Sequence, residues 1–552
     1  MTVPGRVAPS VDAARSDEAP TRPLLTVVIP VYNGGDEIVD NVSAIERAVT
    51  GGLNGDEVEL IVVSDGSIDD TAERLLQARD NRRIRVIHYD RNLGKGYAVK
   101  AGALASRGDW IALVDADLDL DPAAVPAYVE VARREQLDFA IGSKRHPDSV
   151  VYYPRSRRIA SWCYQQLNRM LFRLDVRDTQ VGLKVFSRRV VDDVVPLLIV
   201  KRFAFDLELL AVATSLGYDR IRELPVRLDY RFSGSGVGSL AVLAALWDTA
   251  AIYYRLRILR TYERKRALLG SGASAPVEPP VVAVVGSPQV AQLLDYPRLA
   301  PADSDTAELV AVLEPGARPA GNWVTAAVPF FVDDDVAAVV APTVAPLRAP
   351  LNVRVAAAVL ESRLGGGSRR SSYFPGNVRT VGDYPAQSVV ARRSDYAAAR
   401  AAGVEEERLV AWLAARDRRT IYTPDTCVSA APPRMVIPHL RSALSHARAR
   451  GAAARRTNGA SLSGATALSL APAAAAVVGL SMVAAGGGLR RPGLVLLSAY
   501  AAALGASGLH AAARFHSLAV GALEPPAVVA SQGAYLLGFV RGLLEPSSPG
   551  RR

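Results

Sequence analysis

The segment Trp110-Ile-Ala-Leu-Val-Asp-Ala-Asp-Leu-Asp119 decides how this chain is interpreted. Its apolar half is typical of a strand that is buried on both faces, as in a parallel sheet. Asp115, Asp117 and Asp119 follow, and alternate residues of an extended chain point the same way. We therefore expect three carboxylates to meet at the carboxyl end of a strand, where open α/β sheets bind ligands. The alternative is a solvated acidic turn before Pro122.

A cluster of carboxylates at this place predicts a divalent metal site. Mg²⁺ commonly takes one or two carboxylates together with the phosphates of a substrate. The rest of the chain has to decide between this site and a solvated turn.

Composition excludes several classes of protein. A chain of 552 residues is too long for one domain. Its formal charge of +10 allows nucleic acid or an anionic membrane as a partner, but the aromatic residues do not interleave with the basic ones as a single-strand binder needs. Only two cysteines are present, Cys163 and Cys427, so we expect neither a disulfide framework nor a zinc site.

Strand and helix patterns alternate around the quoted segment, which predicts an α/β fold with a mostly parallel sheet and right-handed crossovers. The predicted strands are 24–32, 58–65, 84–89, 110–114 and 139–142, and the predicted helices are 36–49, 69–79 and 94–106.

Asp65 ends the second predicted strand much as Asp115 and Asp117 follow the fourth. Acids from two strands are therefore expected at one edge of the sheet, where a nucleotide sugar presents a base, a ribose and a diphosphate. A dinucleotide-binding domain is excluded, because it needs G-x-G-x-x-G after the first strand. This chain has Pro30-Val-Tyr-Asn-Gly-Gly35 there.

Several motifs resemble those of the family 2 glycosyltransferases, which have a GT-A fold. They are Pro30-Val-Tyr-Asn33, Asp65-Gly-Ser67, Asn92-Leu-Gly-Lys-Gly96 and Asp115-Ala-Asp117. Further segments resemble the dolichyl- or polyprenyl-phosphate hexose synthases of that family: Asp178-Thr-Gln-Val-Gly-Leu-Lys-Val-Phe186, Arg202-Phe-Ala-Phe-Asp-Leu-Glu-Leu-Leu210 and Leu224-Pro-Val226. The resemblance covers about residues 24–262.

The resemblance implies a role for each matching residue. The nucleotide and donor would be held by Pro30, Tyr32, Asp65, Asp115, Asp117 and Arg231. Mg²⁺ or Mn²⁺ would be held by Asp115, Asp117 and Asp119, and the catalytic residues would be Asp115, Asp117, Arg145 and Arg202. The phosphate of the lipid acceptor would be held by Arg157, Ser161 and Gln180.

The chain departs from the family pattern at two places, and the second leaves open either the donor, UDP-glucose or GDP-mannose, or the headgroup of the acceptor. Gly34 stands where an acidic residue is usual, and Gly234-Ser-Gly-Val237 lacks a lysine that is usual there.

A phosphate acceptor removes the need for a general base, since a phosphate monoester with a second pKa near ~6 is already an anionic nucleophile at pH 7.

Several helices suggest contact with a membrane. Residues 155–174 and 240–260 are basic and carry apolar side chains that include Trp162 and Trp247, so they predict helices in a lipid interface or, alternatively, helices packed on the core. Two C-terminal stretches, 464–488 and 492–513, are long enough to span a bilayer. A third stretch, 518–540, is a weaker candidate, and a buried helical hairpin is the alternative for all three.

The charge pattern predicts a multi-pass cell-membrane protein whose soluble domains are cytoplasmic. Five arginines lie between Arg441 and Arg456, just before the first apolar stretch, and such residues favour the cytoplasmic side. Arg490 and Arg491 would then lie outside, unless the first two stretches form a re-entrant hairpin.

The predicted organisation has six parts. A disordered lead-in (1–23) precedes the catalytic GT-A domain (24–262) and a linker (263–280); a second, truncated GT-A-like α/β domain (281–435), a basic juxtamembrane segment (436–461) and two to three α-helical membrane segments (462–545) follow. In the second domain only Glu314 stands where two aspartates are usual, so we expect that domain to be inactive.

Our hypothesis is that the chain is an inverting glycosyltransferase, which moves glucose or mannose from a nucleotide sugar to polyprenyl phosphate. One alternative is transfer to a sugar hydroxyl of a cell-wall or surface glycan, which needs a base such as Asp206, Glu208 or Asp178. Two others are a non-catalytic membrane scaffold and, more distantly, a nucleotidyltransferase.

Overall fold

The computed structural model describes residues 22–545 of the chain. The stretches within that range that it does not describe are 54–56, 80–83, 152–154, 201–203, 229–238, 270–278, 287, 347, 383, 385–387 and 457–463. Residues 1–21 of the predicted lead-in and residues 270–278 of the predicted linker therefore lie outside the described residues, and residues 263–269 of that linker are helical.

The described part of the first region contains nine strands and nine α-helices. Its strands are β1 (Leu25–Val31), β2 (Val58–Asp65), β3 (Ile84–Tyr89), β4 (Trp110–Leu113), β5 (Phe139–Ser143), β6 (Val150–Val151), β7 (Lys184–Ser187), β8 (Ile221–Pro225) and β9 (Arg227–Leu228). Its helices are α1 (Ile38–Thr50), α2 (Thr71–Arg79), α3 (Lys95–Ala105), α4 (Val125–Arg134), α5 (Arg155–Phe172), α6 (Arg188–Asp193), α7 (Phe205–Ser215), α8 (Ser239–Tyr253) and α9 (Thr261–Leu269).

The first sheet has seven strands in the order β3-β2-β1-β4-β7-β5-β8. β1 pairs in parallel with both β2 and β4, which confirms the predicted alternation of strands and helices. β7 lies antiparallel between β4 and β5, and no such strand was predicted. The result is a GT-A-like mixed sheet whose parallel half carries the carboxyl ends of β1, β2 and β4 at one edge.

Apolar side chains cover both faces of this sheet, as continuous apolar strands require. One cluster surrounds Val28, Ile61 and Ile111, and the other surrounds Val27, Leu60 and Ala112. Because neighbouring strand residues point to opposite faces, each strand contributes to both clusters. The backbone at the sheet edge is thereby fixed from two sides.

The described part of the second region contains ten strands and six α-helices, and seven of the strands form one sheet. Its strands are β10 (Val282–Val285), β11 (Leu299–Pro301), β12 (Leu309–Val312), β13 (Arg318–Pro319), β14 (Val336–Val340), β15 (Thr343–Val344), β16 (Arg379–Val381), β17 (Val389–Arg392), β18 (Arg419–Tyr422) and β19 (Val428–Ser429). Its helices are α10 (Pro288–Ala291), α11 (Trp323–Ala327), α12 (Leu351–Glu361), α13 (Arg370–Tyr373), α14 (Arg393–Ala401) and α15 (Leu409–Ala414).

The second sheet repeats the pairing scheme of the first. Its order is β11-β10-β12-β17-β14-β18-β16. β10 pairs in parallel with β12, as β1 does with β4. β17 lies antiparallel between β12 and β14, as β7 does between β4 and β5. β14 pairs in parallel with β18, as β5 does with β8. Only the three-residue β11 lies beyond β10, where the first sheet has both β2 and β3. The nucleotide side of the fold is therefore abbreviated in this domain.

Four helices complete the described chain: α16 (Ile437–Arg456), α17 (Gly464–Ala485), α18 (Arg490–Arg514) and α19 (Leu518–Leu544). Among the described residues, two helical stretches are long and apolar enough to cross a membrane, 487–514 and 518–544. Their most apolar windows are 11% and 44% buried, respectively. The larger buried share of α19 comes from its packing on α12 and α16.

The sequence made 518–540 the weaker candidate for a membrane span, yet α19 is long and apolar enough to cross a membrane. α19 continues to Leu544, beyond the predicted end at residue 540. Glu524, which weakened the prediction, is buried and accepts a hydrogen bond from Ser507 of α18 at 2.6 Å.

Candidate active site

A cleft opens at the carboxyl edge of the first sheet, between the end of β4 and the start of α3. Its lining residues come from five parts of the first region: Pro30, Lys95, Gly96, Val99, Leu113, Asp115, Gly182, Phe205 and Asp206. Two of them, Pro30 and Asp115, are among the predicted site residues.

The central contact of the cleft is an ion pair between Lys95 and Asp115. Lys95 Nζ lies 2.6 Å from Asp115 Oδ1. Burial raises the pKa of Asp115, although the Lys95 ammonium opposes that shift. Burial lowers the pKa of Lys95, but the carboxylates of Asp115 and Asp206 outweigh it, so that the pKa is raised. The raised pKa favours the ammonium form of Lys95, and that ammonium in turn favours the carboxylate form of Asp115.

Asp206 extends this pair into a row of alternating charges. It accepts a hydrogen bond from Lys184 Nζ at 2.7 Å, and the lysine itself is buried on β7. A row of this kind holds each side chain in place by its neighbours and offers both signs of charge to a bound ligand. Lys184, at the start of the unpredicted strand, belongs to the Asp178–Phe186 segment.

The three aspartates do not lie on an extended chain, so that part of the prediction is wrong. β4 ends at Leu113, and Leu118 has a left-handed φ of 58°. The chain turns here, and the Asp119 amide donates to Asp117 Oδ1 at 3.2 Å. Asp117 still lies close enough for its charge to act on Asp115. The turn arises because short acidic side chains accept bonds from nearby amides.

Within the described part of the chain, no three His, Cys, Asp or Glu side chains are grouped as metal ligands. The assignment of Asp115, Asp117 and Asp119 to a metal stays a prediction, since Mg²⁺ needs only one or two carboxylates when substrate phosphates complete its shell.

Gly182 supports the Asp115 carboxylate and was not assigned a role from sequence. A Cβ atom at this position would lie 2.2 Å from Asp115 Oδ2 and 2.8 Å from its Cγ. Only glycine therefore leaves the carboxylate where it is. Gly182 lies in the Asp178–Phe186 segment, which the sequence had singled out. Its close approach to Asp115 depends, however, on the antiparallel pairing of β4 with β7.

Asp65 is buried beneath the loop of residues 90–95, which we call the lysine loop. Its carboxylate accepts hydrogen bonds from the amides of Leu93 and Gly94, at 2.8 and 3.0 Å, and from the Tyr89 hydroxyl at 3.0 Å. Burial raises the pKa of Asp65 to about 6, against these donors. In this structure Asp65 supports the lysine loop, and its predicted contact with a nucleotide stays a prediction.

We expect the replacement Asp65→Asn to remove a pH dependence of stability. Between pH 4 and 6 the folded wild type keeps a proton that the unfolded chain, with a pKa of 3.8, has released. This stabilisation, on the order of 3 kcal/mol at 1.36 kcal/mol per pKa unit, is complete below about pH 4 and is lost as the pH rises through about 6. Thermal unfolding of both proteins between pH 4 and 7 measures it, and a constant difference between them would contradict the assignment.

The loop after β1 is tied to the loop after β2. Asn33 has a left-handed φ of 53°, and its amide donates to Ser67 Oγ at 3.1 Å. In return the Ile68 amide donates to Asn33 Oδ1 at 2.9 Å. Tyr32, predicted to contact the nucleotide, is exposed beside this pair.

The predicted phosphate-binding residues are described only in part. Gln180 is exposed, and its amide donates to Asp178 Oδ1 at 3.2 Å; the Arg145 amide donates to Ser143 Oγ at 3.4 Å. Arg202 and Arg231, and the side chains of Arg157 and Ser161, lie outside the described residues.

Two of the three candidate bases for a hydroxyl acceptor are engaged elsewhere. Glu208 is fully buried and accepts from the amides of Ile199 and Val200 at 2.9 and 2.8 Å, and from the Tyr262 hydroxyl. Asp178 accepts from the amides of Lys144 and Gln180. Asp206 is the candidate base that lines the cleft.

Comparison with known proteins places this cleft in a family. Residues 26–195 match the family model described as Glycosyl transferase family 2. The chain is 36% identical over 205 residues to Glycosyltransferase AglD of Haloferax volcanii. This match covers 37% of this chain and 32% of that protein. It is 30% identical over 256 residues to Dolichyl-phosphate beta-glucosyltransferase ALG5C of Trichomonas vaginalis. This match covers 43% of this chain and 73% of that protein.

Among solved structures, glucosyl-3-phosphoglycerate synthase from Mycobacterium tuberculosis in complex with uridine diphosphate is 20% identical, with a TM-score of 0.33. The match covers 42% of this chain and 80% of that one. The chain spans 32% of the length of the first of these curated relatives and 73% of the length of the second. With 73% of a relative matched at 30% identity, the chain belongs to glycosyl transferase family 2.

Proposed function

We propose that this chain transfers a hexose from a nucleotide sugar to a polyprenyl phosphate at a membrane. The observation that carries the proposal is the Lys95–Asp115 pair in the cleft, with Asp117 beside it. A site that combines fixed carboxylates with a fixed ammonium suits a cation and a diphosphate together. The relatives' names, which include dolichyl-phosphate beta-glucosyltransferases, support the lipid acceptor.

The donor set fits Mg²⁺ or Mn²⁺, which Asp115 and Asp117 would hold. Gly182 places no side-chain atom against Asp115 Oδ2, where a Cβ would lie 2.2 Å away, and Lys95 contacts the other carboxylate oxygen. A bound divalent ion would neutralise charge on the leaving diphosphate.

Lys95 has its own part in the proposed reaction. Its ammonium carries three donors, of which Asp115 takes one, so it can also bind an oxygen of the donor diphosphate. As the bond to the sugar breaks, negative charge grows on that diphosphate, and a fixed ammonium stabilises it at no cost in reorganisation.

A phosphate acceptor accounts for the way in which the acids are used. The phosphate is already anionic near neutral pH, so it attacks without giving a proton to the protein. Glu208 and Asp178 are occupied by backbone amides, and Asp206 is paired with Lys184. Transfer to a sugar hydroxyl would instead depend on Asp206, because it alone of the three lines the cleft.

An apolar surface on α5 and α8 supports a membrane as partner. The two helices are joined by a hydrogen bond of 2.8 Å between the Tyr164 hydroxyl and Thr249 Oγ1. Met170 and Trp247 are 74% and 77% exposed, with Trp162 and Tyr254 also exposed nearby. Exposed tryptophan on a basic helix suits a lipid interface. Together with the apolar helices α18 and α19, this surface supports our proposal that the cleft lies at the cytoplasmic face of a multi-pass membrane protein.

The test incubates membranes that contain the full chain with labelled UDP-glucose or labelled GDP-mannose, followed by organic extraction. We expect label from one donor in a lipid phosphate that is absent from membranes with the Asp115→Asn chain. Label in a water-soluble glycan, sensitive to Asp206→Asn, would favour the hydroxyl acceptor and contradict the lipid.

A further inference from the structure

The lysine loop is bound from outside by the second domain. Arg91, only 1% exposed, directs both terminal guanidinium nitrogens at the carboxylate of Glu361, the last residue of α12. The Arg91 Nη2–Glu361 Oε2 distance is 2.8 Å. A bidentate pair of this kind fixes the orientation of both partners as well as their separation.

The end of α18 completes this contact. Arg514 Nε lies 3.4 Å from Glu361 Oε2, and Arg514 Nη1 lies 3.4 Å from the carbonyl oxygen of Asn92 in the lysine loop. The Arg91 guanidinium also stacks 4.2 Å from the centroid of the Phe515 ring. We call Arg91, Glu361, Arg514 and Phe515 the junction; it joins the catalytic domain, the second domain and an apolar helix.

The inner side of the same loop forms part of the cleft. Its Leu93 and Gly94 amides bind Asp65, and Lys95 at its end reaches Asp115. Only three residues separate Arg91 from Lys95, so a movement of one carries the other with it. The position of the Lys95 ammonium therefore depends on contacts made by residues far away in sequence.

The second domain holds α3 at another place as well. Lys100, buried on α3, lies 2.7 Å from Asp425 of the second domain. α3 begins with Lys95, so its start and its flank are both fixed by the same neighbouring domain.

We propose that Arg91, Glu361 and Arg514 are positioning residues, which hold the lysine loop so that Lys95 stays at Asp115. In this proposal the second domain orders the cleft of the catalytic domain and catalyses no reaction at its own sheet edge. The apolar helices contribute through Arg514, so the cleft is fully ordered only when α18 is in place. This inference rests on the proposed function for one of its readouts, turnover.

A second arginine–carboxylate pair between the same two domains provides a matched control. Arg85, near the amino end of β3, donates from Nε to Asp295 Oδ1 at 3.1 Å and also binds that carboxylate through Nη2. It retains Glu59 as a second carboxylate partner. This pair lies at the opposite end of β3 from the lysine loop, so it joins the domains without touching the cleft.

The experiment compares Glu361→Gln with Asp295→Asn in the full chain, purified with its C-terminal helices. For Glu361→Gln we expect faster hydrogen exchange at the amides of residues 90–98, and kcat lower by about tenfold or more with little change in the KM for the nucleotide sugar, since a misplaced group can cost ~100-fold. Asp295→Asn should change neither. Equal effects of the two variants, or unchanged exchange and kcat in Glu361→Gln, would overturn the proposal.

A milder variant covers the case in which Glu361→Gln does not fold, since it leaves a buried arginine without its carboxylate. Arg91→Lys keeps the charge and loses the forked contact. We expect smaller increases in exchange at the same amides, and no increase would overturn the proposal. The exchange measurement uses no substrate, so loosening of the loop in a chain without lipid transfer would reject the proposed function and leave this inference standing.

Discussion

Replacement of Asp115 by asparagine is expected to lower kcat by about 10²- to 10³-fold, the usual cost of removing one preorganised electrostatic group. The carboxylate lines the cleft and pairs with Lys95 at 2.6 Å. An amide of the same shape loses the negative charge that holds both the lysine and the proposed metal. Nucleotide binding, measured as a thermal shift with UDP and Mn²⁺, should weaken in the same variant, because ligand binding stabilises by mass action.

Asp121→Asn is the matched control for this replacement. Asp121 is exposed, follows the same turn, and accepts a hydrogen bond from the Ala123 amide at 3.0 Å. It should keep both turnover and the thermal shift. Full activity in Asp115→Asn would remove the cleft from the reaction.

A single methyl group at Gly182 is expected to have the second largest effect. The added Cβ of Gly182→Ala would lie 2.2 Å from Asp115 Oδ2, so the carboxylate has to move away from Lys95 or from the cleft. Displacement of a positioned group by about 1 Å can cost ~100-fold in rate, and we expect a loss of that order in kcat. The fold should survive, because the atoms in the way are the mobile end of one side chain. Turnover and thermal unfolding, measured together, check both statements.

Gly286→Ala is the control for this prediction. The Cβ position of Gly286 in the second domain meets no atom within 4 Å, so alanine should change neither quantity. A Gly182→Ala chain that unfolds at a much lower temperature would show that the methyl group disturbs the sheet and not the carboxylate alone.

The parallel half of the first sheet could be predicted because local patterns determine it. Strands and helices alternate from β1 to β4, and the positions of Asp65 and Asp115 at one edge follow from that alternation. The family motifs then gave the cleft its chemistry. These features depend on residues that are close in sequence.

The remaining features depend on pairings between distant residues. The position of Gly182 beside Asp115 arises only because β7 enters the sheet antiparallel to β4. Lys95 stood in a recognised motif, but its partner could not be read from the motif. The extended geometry of the three aspartates failed for a local reason, since Leu118 takes a left-handed conformation that residue patterns do not specify.

The two sheets share one pairing scheme, which is the expected result of duplication of an ancestral gene segment. After such an event each copy keeps only those residues that selection still requires. If selection now maintains the second copy for its contact with the lysine loop, the residues of that contact should change less than the rest of the second domain. Across descendants of this gene, Glu361 and Arg91 should change together or not at all, while the edge around Glu314 should drift freely.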